Sequence, residues 1–289
     1  MANTKSEENK AVAVVEENAG LALVPDFMGM DDFGNTGFEG ADKDSFAIPF
    51  LQLLQKMSPL VDEDDSKHIK GAKAGMLFNT VTQKLYDGKV GVIVIPCAYK
   101  RTFIQWAGRE AEGGFKGEFK PEQIEQMLAN GTIVALDGKL YKPGEDGSVN
   151  EKKSDRYEDT RSHFVLVVDP ETGEYGQAII SLSSTQIKAS KMLMTALQQK
   201  KVDTAQGKKT PPTFANMVKV TTVSMSNDKG SWSGLRFDLD GLVKDVNIYN
   251  EAKAFYKAVV DGSVGADYSK AEAPQSAPAG NTPETAEGF

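Results

Sequence analysis

Residues 76–109 read MLFNTVTQKLYDGKVGVIVIPCAYKRTFIQWAGR. Asp87-Gly88 is a turn signal, and the β-branched run from Val90 to Ile95 follows it, so the stretch predicts two strands around a turn. A continuous apolar strand of this kind is usually central in its sheet and covered on both faces. Pro96 cannot donate to a ladder, which predicts a bulge or bend there. Beyond it the pattern alternates. Tyr99, Arg101 and Phe103 fall on one strand face, Lys100 and Trp106 on the other, and Arg109 lies just past the end.

Outward from this centre the strand signals repeat. Upstream, FAIPFLQLLQKMSPLV marks the start of order near Ser45, and residues 49–57 suit either a short helix or an extended segment. VDEDDSKH reads as a solvated acidic loop, because adjacent carboxylates on a loop point apart and do not converge on a cation. Downstream, PEQIEQML is a short helix with proline in its first turn, and TIVALDGKLYK is a hairpin around Asp137-Gly138. KPGEDGSVNEKKSDRYEDTR is expected as a loop. SHFVLVVDPETGEYGQAIISLSS supplies two strands across the Pro170–Gly173 turn. STQIKASKMLMTALQQKK is a helix with Ile187, Met194 and Leu197 on one stripe, and TAQGKKTPPT is a loop. FANMVKVTTVSMS and SWSGLRFDLDG form a last strand pair joined by 227–230, and NIYNEAKAFYKAVVDG is a closing helix ending at Gly262. The expected fold class is α+β, mainly antiparallel β, as an OB-like barrel with large insertions and flanking helices.

Charge divides the chain. The net −8 of the 289 residues is concentrated in the ends: residues 1–45 carry −7 and residues 261–289 carry −4. The body between them carries +3, from 29 basic and 26 acidic side chains. Three segments follow: an acidic disordered arm at 1–45, a nucleic-acid-binding core at 46–262, and an acidic flexible tail at 263–289. The arm is rich in Gly, Asn and acids and cannot bury enough apolar surface to offset its ordering entropy. It reads as a solubilising arm, or as a docking segment using Phe27, Phe33 and Phe38.

Chemistry is sparse. Cys97 is the only cysteine and His68 and His163 the only histidines, which excludes an internal disulfide and the usual structural zinc site and fits a reducing cytoplasm. The polar start is unlike a secretory signal, and no apolar run is long enough to span a bilayer. There is no G-x-S-x-G and no P-loop. Neither a cofactor, a bound metal nor catalysis is expected. The enzymatic alternative is a metal-dependent nuclease using Asp169, Glu171 and Glu174, a group that also reads as a plain Asp-Pro turn.

The aromatic and basic pattern points to single-stranded nucleic acid, where cations follow phosphates and rings stack on bases. Tyr99, Phe103, Trp106 and Trp232 are the stacking candidates. Arg101, Arg109, Lys188, Lys191, Lys229 and Arg236 are the phosphate candidates, with Lys200, Lys201, Lys208 and Lys209 adding sequence-blind charge. The last residue, Phe289, ends a flexible acidic tail and suits a hydrophobic pocket rimmed by cations.

A body of this kind with an acidic tail ending in phenylalanine resembles the single-stranded DNA-binding proteins of bacteria and of T7-type phages. IPFLQLLQKMSP, GVIVIPCAYKRTFIQWAGR, ISLSSTQIKASK and SNDKGSWSG, spread over 48–234, are similar to proteins of tailed-phage replication and recombination. The resemblance implies a protein of the host-cell cytoplasm that coats single-stranded DNA. It also implies that the tail, through Phe289, recruits replication or recombination enzymes. A single-strand annealing or recombination-mediator protein is the alternative within the same class. No membrane partner is expected, and a homo-oligomer is compatible with the pattern.

Overall fold

In the computed structural model, Val92–Trp106 is one strand of 15 residues. The structure describes residues 37–41, 45–111, 114–169, 172–228 and 230–271. In chain order the elements are β1 (Leu51–Leu53), β2 (Leu77–Asn79), β3 (Leu85–Tyr86), β4 (Val92–Trp106), β5 (Phe115–Phe119), α1 (Pro121–Ala129), β6 (Val134–Leu136), β7 (Lys139–Tyr141), β8 (Arg156–Val168) and β9 (Tyr175–Ser183). They continue as α2 (Ile187–Gln199), β10 (Val202–Thr204), β11 (Gly207–Lys209), β12 (Asn216–Asn227), β13 (Gly230–Leu242) and α3 (Val246–Val260). The chain divides into two units between Phe46 and Ala47. In the first, the Phe38 and Phe46 rings lie 5.7 Å apart. Phe27 and Phe33 lie outside the described residues. All named elements belong to the second unit.

The main sheet has 8 strands in the order β13-β12-β4-β8-β7-β6, with β5 added to β4 and β9 to β8. Its ladders are antiparallel, so the fold is α+β and mainly antiparallel. Among the described residues no ladder joins β9 to β13, and the expected OB-like barrel is therefore not closed. β4 is central: it pairs with β12 at Val92–Val94, with β5 at Phe103–Trp106, and with β8 along nearly its whole length. The register slips between Pro96 and Ala98, where proline leaves a ladder donor missing and Cys97 becomes the extra residue of a bulge.

β8 begins at Arg156, inside the stretch expected to be a loop. Its charges did not prevent pairing, because Tyr157 is buried and each charged side chain finds a partner on the sheet surface. TAQGKK likewise forms a small hairpin, β10–β11. The 49–57 segment is extended, with β1 at its centre.

The two faces of the sheet are covered differently. On the inner face, Val92, Val94, Val165, Val167, Val218 and Val220 pack with Leu193 and Leu197 of α2. On the outer face, Ile95, Ile104, Phe164 and Leu166 pack with Ala252, Phe255 and Val259 of α3, an i, i+3, i+7 stripe. Asp245 starts that helix, its side chain accepting from the amides of Asn247 and Ile248 at 2.7 and 3.1 Å. Gly262, at φ 84°, lets the chain turn back after the helix.

The folded body continues past Gly262 to residue 271. Tyr268 is buried on the outer face, its hydroxyl 2.6 Å from Ser162 Oγ and 3.1 Å from Ser181 Oγ.

β13 is an edge strand closed by side chains. Gln55 gives and receives one hydrogen bond at Ser233, both 2.9 Å. Gln186 donates to the Ser233 carbonyl and accepts from the Leu235 amide at 3.2 and 3.0 Å. Two amides thus satisfy main-chain groups that a neighbouring strand would otherwise take. No helix among the described residues is long and apolar enough to cross a membrane.

Candidate nucleic-acid interface

The register of β4 against β8 pairs Tyr99 with His163, Arg101 with Arg161, Phe103 with Asp159 and Gln105 with Tyr157. Paired residues share a face, and this one is the inner face. α2 covers it at His163, whose Nε2 lies 2.8 Å from Ser190 Oγ. α1 covers it further along, where Ile124 packs with Phe103 and Tyr157. Between the two helices Arg101 is exposed and Tyr99, Asp159 and Arg161 are half-buried; these four side chains form the floor of a shallow groove flanked by the helices.

Both guanidinium groups grip one carboxylate. Arg101 reaches Asp159 through Nε at 3.2 Å and Nη2 at 2.8 Å; Arg161 does so through Nε and Nη2, each at 2.9 Å. Arg161 Nη1 also donates to the Tyr99 hydroxyl at 2.9 Å. Bidentate pairs of this type fix geometry as well as charge, and two cations on one anion leave a net positive charge in the floor. Burial opposes the charge of Arg161, but its bonds to Tyr99 and Asp159 outweigh that and hold its pKa above the ordinary value. The Arg101 side chain is 42% exposed and lies over the Phe103 ring, 5.5 Å from its centroid. His163 beneath is buried and neutral: burial, then the charge of Arg161, push its pKa down to about 4.

The expected site residues separate into groups. Tyr99 and Arg101 belong to the groove. Phe103 and Trp106 do not offer faces for stacking: Phe103 is 9% exposed and Trp106 2%, the latter on the outer face between Phe115 and Tyr268. Lys188 and Lys191 are exposed on α2, the inner-face helix. Arg109 is exposed in the loop after β4. Trp232 pairs with Met225, and Arg236 with Thr221; this parity puts both on the outer face, away from the groove. Trp232 is half-buried, and Arg236 is exposed and paired with Asp238 at 2.8 Å. The structure therefore does not bring the two aromatic and basic clusters together. Lys229 and Phe289 lie outside the described residues.

Asp159, Arg161 and His163 escaped the sequence reading. The signal was there in the period-2 series Tyr157, Asp159, Arg161, His163, which runs directly into FVLVV.

Of the nuclease candidates, Asp169 is held by Lys84 Nζ at 2.5 Å, Glu174 is exposed, and Glu171 lies outside the described residues. Among the described residues no group of three or more His, Cys, Asp or Glu is placed to hold a metal ion. Cys97 is buried, and burial pushes its thiol up to about 12, so it is not a reactive thiolate.

Fold and groove together define a mainly antiparallel α+β protein with a paired-arginine patch on the sheet between two helices. The family model described as Pam3 phage gp34-like protein matches residues 16–265, and the chain belongs to that family. No curated protein matches it, and no solved structure does.

Proposed function

We propose that this chain binds single-stranded DNA without sequence preference and without cutting it, through the groove floored by Tyr99, Arg101, Asp159 and Arg161. The observation that carries this reading is the pair of guanidinium groups on one carboxylate beside a half-buried tyrosine. Such a floor presents fixed positive charge for phosphates and an aromatic face for a base. The series β9-β8-β4-β12-β13, with α2 inserted between β9 and β12, reads as an OB-like barrel left open at one seam. OB barrels commonly take oligonucleotides on the face of their second and third strands. Here the outer face of β8 and β9 is occupied by Phe255 and Tyr268, so the ligand is assigned to the inner groove. Membership of a phage-named family supports a phage origin and nothing finer; a role in phage replication or recombination, with the acidic tail and Phe289 recruiting partner enzymes, is the reading placed on it.

The test is fluorescence anisotropy of a labelled oligothymidylate at low and high salt. Binding is expected at low salt and weakens steeply as salt rises. Tyr99→Phe keeps the ring and binds nearly as well as the unaltered chain. Tyr99→Ala loses a stacked base, worth about 1–3 kcal/mol, or at least about fivefold in affinity. Absence of binding at low salt removes the proposal.

A further inference from the structure

Resting on the groove reading, we infer that the bound strand leaves the groove along the solvent side of α2 and ends on the β10–β11 hairpin, which acts as a second phosphate clamp. Ser183 pairs with Thr160, so α2 begins at the level of the Arg161 floor and runs away from it. Its 13 residues span about 20 Å. Ser190, Leu193 and Leu197 turn to the core, and at about 3.6 residues per turn Lys188 and Lys191 project from the opposite side. Both are exposed, and neither has an ion pair or hydrogen bond among the described residues.

The hairpin continues this line of charge. Residues 184–213 contain six lysines and a single acid, Asp203. The hairpin is tied to the far end of α2, where Thr210 Oγ1 donates to the Gln198 carbonyl at 3.2 Å and Lys200 Nζ to the Gly241 carbonyl at 2.8 Å. It adds almost nothing to the core: its two strands form their own sheet, all of β11 is exposed, and Val202 is half-buried. An isolated hairpin has little stability of its own in water, which leaves its charge as the property that distinguishes it. Lys201, Lys208 and Lys209 bond only within this segment, to Thr210, Asp203 and Gln206. Exposed pairs of this sort are worth about 0–1 kcal/mol, so phosphates displace them at little cost.

The experiment uses the full chain with Lys201→Gln, Lys208→Gln and Lys209→Gln combined, sparing Lys200 because it caps Gly241. Unchanged thermal unfolding is the control for folding. Binding is measured to oligothymidylates of about 4, 8 and 16 nucleotides, the range covered by single OB folds, at about 50 and 200 mM salt. The unaltered chain is expected to gain affinity across the series. The triple variant keeps its affinity for the shortest probe but loses the gain with length. Its loss of affinity between the two salt concentrations shrinks by on the order of tenfold, as three fewer phosphate contacts require. Length and salt dependence identical to those of the unaltered chain overturn the path and leave the groove standing. If the unaltered chain binds none of the probes, both readings fall.

Discussion

The same two strands, β4 and β8, present a sealed face and an open one. On the outer face α3, Phe214 and Tyr268 pack over the apolar side chains of both strands. On the inner face two separate helices cover the ends and leave the middle to Tyr99, Arg101, Asp159 and Arg161. The side chains match this division: Ile95, Ile104 and Phe164 need cover, whereas paired arginines tolerate water. A single strand pair can therefore pack on one side and carry the proposed binding floor on the other, provided its alternation keeps the two sets apart.

Breaking the seal gives the largest expected effect. Phe255→Ala removes a ring buried against Phe164 and costs about 3–5 kcal/mol of stability. Oligonucleotide affinity measured well below the unfolding temperature stays unchanged, since the groove lies on the other face. Loss of affinity in the folded variant would show that the faces are coupled.

His163 tests the boundary between α2 and the groove. Its folded pKa of about 4 lies below the unfolded value of about 6.5, so the unfolded chain takes up a proton first as pH falls. Its share of stability is complete above about pH 6.5 and is lost on going down to pH 4, by roughly 3 kcal/mol. Denaturant unfolding at stepped pH measures this, and His163→Gln should flatten the slope in that window.

The smallest effect sharpens the outer side alone. Tyr268→Phe keeps the ring but leaves the buried Ser162 hydroxyl without this partner, for about 1–3 kcal/mol. A larger loss would mean that the hydroxyl anchors the whole 262–271 segment.

How legible all this was in the sequence depended on how local its cause is. The run from Val90 to Ile95, the Pro96 bulge and the hairpin at Asp137-Gly138 (φ 49° and 72°) follow from neighbours in the chain, and they were readable. So was the parity that places Tyr99, Arg101 and Phe103 together. Which of those three meets water, and whether Trp106 on the other face does, was not, because the cover is remote: Ile124 packs on Phe103, and Tyr268 closes over Trp106 from far along the chain. Arg161 and Asp159 were hidden for a related reason. Their stretch looks like a solvated loop until β4 supplies the partner that makes it a strand.

The two glutamines on β13 bear on self-association. A sheet grows by adding strands to an open edge, and at Ser233 and Leu235 that edge is already occupied by side chains of the same molecule. A second copy could extend the sheet there only by displacing both amides at once. Each of those amides is held in place by main-chain bonds that the incoming strand would have to replace. Replacing Gln55 and Gln186 with alanine would convert a self-terminated sheet into one with an adhesive margin, and sedimentation would register the change as higher-order species.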